Sequence, residues 1–275
     1  MRIAVVAPSS RFPPELAARV AALAAEHAQG AELHFHPQCF LTDRHFAGSD
    51  RERLRAFVDC ANDPAFDAIW FARGGYGACR IAEDAVAALT SAARDKVYLG
   101  YSDGGYLLAG LYRAGFSRVA HGPIPGDFAR DGGEEAVRRG LDWLVGRRSH
   151  ALEPTLRAGE RHAAFNITVF SLLLGTALEP DLSGHVLLLE DVSEHAYRTD
   201  RALFHITGQA RLRDLAGLRL GRVTDVLPNE PEFGHTSEDI ARFWCERSGI
   251  PYLGQADIGH DANNKVVPFG LLGGS

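Results

Sequence analysis

No two of the four cysteines, Cys39, Cys60, Cys79 and Cys245, form a C-x-x-C pair, so the sequence suggests neither a zinc ribbon nor a disulfide framework. No apolar stretch reaches the roughly 18 residues of a membrane span, and the opening MRIAVVAPSS has too short an apolar run for a signal segment. A cytoplasmic protein is expected. Clusters of Lys and Arg that would track phosphates are missing and the net charge is -6, which argues against nucleic acid and anionic membrane as partners. There is no H-E-x-x-H or other metal-ligand spacing, no Walker A lysine loop, and no G-x-G-x-x-G after the first apolar run. Metal and cofactor are therefore both expected to be none. Internal repeats and low-complexity tracts are also missing.

What remains is a globular chain of 275 residues, 46% hydrophobic, long enough for one large or two small domains. It is organised around KVYLGYSDGGYLLAGLYRAGF, residues 96 to 116. An apolar run at Val97 to Leu99 meets Gly100-Tyr101-Ser102-Asp103-Gly104, and apolar residues then recur at helical spacing. Strand, sharp turn and helix, with Ser102 at the apex between glycines, make the context that a G-x-S-x-G nucleophile elbow requires. The following helix N-terminus would offer free N–H groups to an oxyanion. A plain Gly-Ser turn in an α/β sheet is the alternative.

The elements around this stretch alternate. RIAVVA reads as a strand covered on both faces, ELAARVAALAAEHA as a helix, AELHFH as a strand, and SDRERLRAFVDCAND as a capped amphipathic helix. AIWFA ends in Arg73-Gly74-Gly75-Tyr76-Gly77, a glycine-rich turn that could cradle an oxyanion or a carboxylate, and CRIAEDAVAAL follows as a helix. RVAHGPI is a further strand. Three strands thus end in glycine-flanked loops, which a doubly wound sheet gathers at its carboxyl edge. A polar, charged stretch suggests a linker over residues 126 to 160, between a nucleophile-bearing domain at 1 to 125 and a second domain at 161 to 275. In that second part NITVFSLLLGT reads as a buried helix, HVLLLED as a strand, SEHAYRTDRALFHITGQARL as a helix, LRLGRVTDVL as a strand, SEDIARFWCERSG as a capped helix, and the remainder as short strands around Gly259-His260.

A serine nucleophile needs a base, and usually an acid group to orient it. His36, His45, His150, His162, His185 and His235 lie in polar or irregular stretches and read as solvated, while His195 and His205 fall within a helical pattern. His121 and His260 each follow a strand and touch a glycine, and spacing alone leaves both open as the base. For the acid, Glu190 and Asp191 both end an apolar strand, where a carboxylate is costly without a partner. Asp191 suits capping of the next helix better, because its side chain is shorter.

Taken together, IAVVAPSS, FAGSDRERL, ARGGYGACRI, GYSD, HGP, LLLEDVSEHAYRTDR and DIGH resemble the LD-carboxypeptidases, serine peptidases that include the microcin C self-immunity peptidases. The motifs run through nearly the whole chain in family order. The resemblance implies a Ser-Glu-His triad at Ser102, Glu190 and His260. It also implies an oxyanion hole from the backbone N–H groups of Asp103 and Gly75, with Gly74 and Tyr76 beside the substrate. The implied fold is α/β: a Rossmann- or flavodoxin-like N-terminal parallel sheet with helices on both faces, and a smaller C-terminal α/β domain with a β-rich swivelling core. A homodimer is implied too, as is release of the terminal D-Ala from murein tetrapeptide, at the bond following the L centre of meso-diaminopimelate, during cell-wall recycling. Arg73 would hold the substrate's terminal carboxylate, which a guanidinium suits.

The sequence departs from the family in two places. Ala164-Phe165-Asn166-Ile167 stands where the family has Gly-Gly-Asn-Leu, adding bulk near the expected site, and the end, PFGLLGGS, is short enough that the last strand pairing is expected to be missing. Other readings of the same residues are hydrolysis of peptide-acyl adenylates, an α/β-hydrolase esterase, and a binding module without catalysis.

Overall fold

The structure, a computed structural model, describes residues 1–273. The first sheet contains β1 (Arg2–Val6), β2 (Glu32–Phe35), β3 (Ala68–Phe71), β4 (Val97–Gly100) and β5 (Val119–His121), and its helices are α1 (Pro14–His27), α2 (Asp50–Asn62), α3 (Ala82–Ala87), α4 (Gly105–Arg113) and α5 (Gly133–Gly146). Then come β6 (Arg161–Asn166), α6 (Ile167–Leu173), β7 (His185–Val192), α7 (Ala196–Gly208), β8 (Gly217–Thr224), α8 (Ser237–Ser248) and β9 (Tyr252–Gln255). The short strands β10 (Val267–Pro268) and β11 (Gly270–Leu271) end the described chain.

The first sheet has the order β10-β5-β4-β3-β1-β2, all parallel except β10. Its parallel part is the flavodoxin-like order of a doubly wound fold, as expected. Successive residues of β1 point to opposite faces. Ile3 and Val5 join the core under α1 and α5, while Ala4 and Val6 join the core under α2 and α4. The second sheet has the order β11-β6-β7-β8-β9, parallel except for β11. One apolar cluster runs through both sheets, with Phe71, Leu107, Phe165, Leu189 and Phe269 among its members.

Local signals explain the helix boundaries. Ser49 and Glu52 form a capping box at the start of α2, and Thr236 and Asp239 form another at α8. Pro14 opens α1, where its missing N–H costs nothing.

Several expectations need correction. The last strand pairing is present: β10 adds to β5 of the first sheet and β11 to β6 of the second, so the end of the chain stitches the two sheets together. The final two residues lie outside the described ones. Residues 126–160, read as the region between the domains, hold the helix α5, whose Val137, Leu141 and Leu144 pack into the core of the first sheet. The strand β6 was not anticipated. His162 and His185, read as solvated, are buried at the start of β6 and β7; His185 shares a hydrogen bond of 2.7 Å with the Tyr112 hydroxyl, and His162 lies 3.5 Å from Glu160.

Candidate active site

The strand β4 delivers Ser102 to the carboxyl edge of the first sheet. Its backbone is left-handed, with φ 59°, a conformation that non-glycine residues adopt rarely and that functional turns retain. Ser102–Gly104 form one tight turn before α4, whose opening N–H groups have no partner within the helix. Asp103 rivets this turn in place. It is buried and accepts hydrogen bonds from Ser9 Oγ in the loop after β1 (2.5 Å) and from the Ala78 N–H in the loop after β3 (2.8 Å). Burial raises its pKa against the pull of these donors.

The glycine loop after β3 passes directly over the serine. A Cβ on Gly74 would lie 2.6 Å from Ser102 Oγ, and one on Gly75, which has φ 122°, would lie 2.2 Å from Ser10 Oγ. Only glycine permits so close an approach here.

His260 comes from the second half, in the segment after β9. Its Nδ1 donates to Glu190 Oε2 at 2.5 Å, and Glu190 is fully buried near the end of β7. The imidazole is fixed on two further sides. The Tyr101 ring lies 4.7 Å away centroid to centroid, and Arg130 Nη1 donates to the His260 carbonyl at 2.6 Å. Arg130 Nε reaches Asp127, which also accepts from the Tyr101 hydroxyl at 2.5 Å. Burial works against a charged imidazole, but the Glu190 carboxylate and its hydrogen bond outweigh it, so the His260 pKa is raised above 6.5. Nε2 of His260 is buried and has no hydrogen-bond partner among the described residues, so it is not bonded to Ser102 here. Free catalytic sites commonly show such loose contacts, which tighten around substrate.

The two open choices look different in the structure. His121 is buried, with Nε2 3.4 Å from Asn264 Oδ1, and burial lowers its pKa to about 4, so it stays neutral. It does not line the cavity that holds Ser102 and His260. Asp191 does not cap the following helix. It accepts hydrogen bonds from Asn166 Nδ2 (2.7 Å), Thr168 Oγ1 (3.1 Å) and the Val192 N–H (2.9 Å), and Asn166 in turn caps α6. Burial first, then the neighbouring Glu190 charge, raises Asp191 to about 6.

Ser102, His260, Arg73, Gly74 and Gly75 line one cavity of about 490 Å³, a size suited to a small peptide. Among the described residues Arg73 donates only to the Arg11 carbonyl, at 3.2 Å. Tyr76 is half exposed, packs near Phe46, and is not among the residues lining the cavity. None of residues 164–167 lines it either, so the departure there acts on packing: Phe165 stacks on Phe170 at 5.0 Å. Sequence reasoning missed Tyr101, Asp127 and Arg130. Tyr101 sat beside the serine, but nothing in the sequence links it to Asp127 or to a ring 159 positions later.

Among the described residues no group of three or more His, Cys, Asp or Glu could hold a metal ion, and no helix is long and apolar enough to cross a membrane.

Comparison with known proteins agrees across the whole chain. Residues 3–122 match the family model of the LD-carboxypeptidase N-terminal domain, and residues 162–273 that of the LD-carboxypeptidase C-terminal domain. The murein tetrapeptide carboxypeptidase of Pseudomonas aeruginosa is 27% identical over 285 residues, covering 98% of this chain and 91% of that protein. The crystal structure of muramoyltetrapeptide carboxypeptidase from Oxalobacter formigenes superposes with TM-score 0.80 at 22% identity, over 98% of this chain and 93% of that one. The microcin C7 self immunity protein MccF superposes with TM-score 0.78 at 18% identity, over 98% and 91%. At these identities the two superpositions speak for the fold.

Proposed function

The chain belongs to the LD-carboxypeptidase family, and on that premise we propose that it is a metal-independent serine carboxypeptidase that releases the terminal D-Ala from murein tetrapeptide. The observation that carries the chemistry is the Glu190–His260 hydrogen bond of 2.5 Å, made by a histidine that lines the same cavity as the left-handed Ser102 and whose Nε2 has no hydrogen-bond partner among the described residues. The substrate reading leans on the murein tetrapeptide carboxypeptidase relative.

In this mechanism Ser102 Oγ attacks the carbonyl carbon of the L residue while His260 Nε2 takes the hydroxyl proton. Glu190, bonded to Nδ1, steadies the imidazolium. The carbonyl oxygen becomes an oxyanion and is met by the N–H groups of Asp103 and Gly75. Collapse breaks the C–N bond, and His260 returns its proton to the departing D-Ala amine. A water, deprotonated by His260, then hydrolyses the acyl ester and restores Ser102. Arg73 holds the carboxylate of the leaving D-Ala.

The first half thus supplies the nucleophile and the second half the acid and base. Work in the cytoplasm and a homodimeric state complete the reading, and both rest on the family resemblance. Mass spectrometry of murein tetrapeptide incubated with wild type and Ser102→Ala tests the reaction. Loss of one D-Ala with wild type only is expected. An intact tetrapeptide with wild type would overturn the reading, and cleavage of a peptide-acyl adenylate in its place would turn it toward the immunity type.

A further inference from the structure

Among the described residues, three of the five non-glycine residues with left-handed backbone, Ser102, Ser193 and Asp225, line the same cavity. Conformations of this kind gather where side chains are held for a purpose. Ser193 follows β7 and Asp225 follows β8, and the two turns are tied by a hydrogen bond from the Ser193 N–H to the Thr224 carbonyl at 3.0 Å. Both side chains sit at the edge of the strand pair that carries Glu190.

The charges of the cavity divide into committed and free. Arg130 is taken by Asp127 and the His260 carbonyl, and Asp127 by Tyr101, Arg130 and the Ile124 N–H. Arg222, near Asp225 in the chain, is engaged by Asp257 and Asp261. The Asp225 carboxylate is exposed and has no ion pair or hydrogen bond among the described residues. Arg73 offers a guanidinium whose one partner among the described residues is a carbonyl. The cavity therefore presents an uncommitted guanidinium from the first half and an uncommitted carboxylate from the second, with Ser102 and His260 also on its wall.

We propose that Asp225, assisted by the Ser193 hydroxyl, is a specificity residue that reads a side-chain ammonium on the L residue whose carbonyl is attacked, while Arg73 reads the carboxylate on the other side of the scissile bond. The inference rests on the carboxypeptidase reading above and assigns to Asp225 the recognition of the side-chain ammonium of the residue before the scissile bond. Side-chain charge recognition in a partly open cleft, through a charge-assisted hydrogen bond, is worth about tenfold in selectivity.

The test compares two tetrapeptides identical except at the third residue, one ending in L-Lys-D-Ala and the other in L-norleucine-D-Ala. Asp225→Asn keeps a residue that tolerates the left-handed backbone and removes only the charge. Wild type should prefer the lysine peptide in kcat/KM by about tenfold, and in Asp225→Asn the ratio should fall toward one. The same ratio read by calorimetry in a Ser102→Ala background covers a variant that has lost turnover. A wild-type ratio near one, or one unchanged in Asp225→Asn, overturns the proposal while leaving the peptidase reading intact. Failure of wild type to cleave either peptide overturns both.

Discussion

Arg130, from the turn before α5, donates to the backbone carbonyl of His260, in the second half of the chain, at 2.6 Å. On the proposed mechanism the base is thereby held by the unit that carries the nucleophile, although its acid partner, Glu190, sits in the other sheet. Arg130 is a positioning residue in this arrangement. Arg130→Gln should lower kcat roughly 10- to 100-fold with a smaller change in KM. The positive charge of Arg130 also lowers the His260 pKa, so the acid limb of the kcat/KM profile should move to higher pH in the variant. A profile with an unmoved limb and a loss confined to KM would assign Arg130 to substrate binding alone.

The partner of His260 on the other side pulls in the opposite direction. A general base must be neutral, so with a pKa raised above 6.5 the rate should climb with pH through a limb lying above that value. Glu190→Gln removes the chief group holding the pKa up and leaves burial to lower it, so the limb should shift to lower pH while kcat falls on the order of 10³ to 10⁴. The same pair affects folding. A histidine whose folded pKa exceeds its unfolded one adds stability that is fully present below the unfolded value of 6.5 and is lost as pH rises through the folded one. Wild type should thus lose its Tm advantage over Glu190→Gln as pH rises through that window, which calorimetric scans can follow.

The parts of this site that could be read in the sequence are those that depend on neighbours in the chain. Strand, glycine turn and helix around Ser102 are a local pattern, and the two carboxylates closing the apolar run HVLLLED mark Glu190 and Asp191 alike by their cost, with the family resemblance choosing Glu190. The resemblance to a known family chose His260 over His121; in the structure, burial and contact with Glu190 set the two apart, and neither leaves a trace in spacing. His162 and His185 were misread because a histidine at the start of a strand looks solvated until a second layer covers it. Strand β6, RHAAFN, has no alternation and opens with two polar residues, so it did not register as a strand. The Tyr101–Asp127–Arg130 cluster joins the loop after β4 to the loop after β5 through the Tyr101–Asp127 hydrogen bond, a tertiary contact that leaves no mark in the sequence.

Asp103 provides a stability test at the nucleophile turn. Removing its carboxylate in Asp103→Ala leaves the Ser9 hydroxyl and the Ala78 N–H without their buried acceptor. Each orphaned group costs about 1–3 kcal/mol, so urea denaturation should place the midpoint well below wild type, with the slope unchanged. Asp103→Asn retains one acceptor oxygen and should lose less. Equal midpoints for Asp103→Ala and wild type would show that the turn is held by other contacts.

Two glycines near the serine should separate chemistry from packing. In Gly100→Ala the new methyl would lie 2.3 Å from the ring of Phe71, a buried core side chain. Such overpacking costs typically about 1–3 kcal/mol, so this variant should melt lower. In Gly74→Ala the methyl would lie 2.6 Å from Ser102 Oγ and 2.8 Å from its Cβ, with no core atom among its nearest neighbours. The serine side chain must turn away, and its oxygen leaves the line of attack. A shift of about 1 Å in a reacting group can cost on the order of 10²-fold in rate, so Gly74→Ala should keep nearly the wild-type Tm while losing most of its turnover and its labelling by a fluorophosphonate. Full labelling of a normally folded Gly74→Ala would mean that the glycine loop does not constrain the nucleophile.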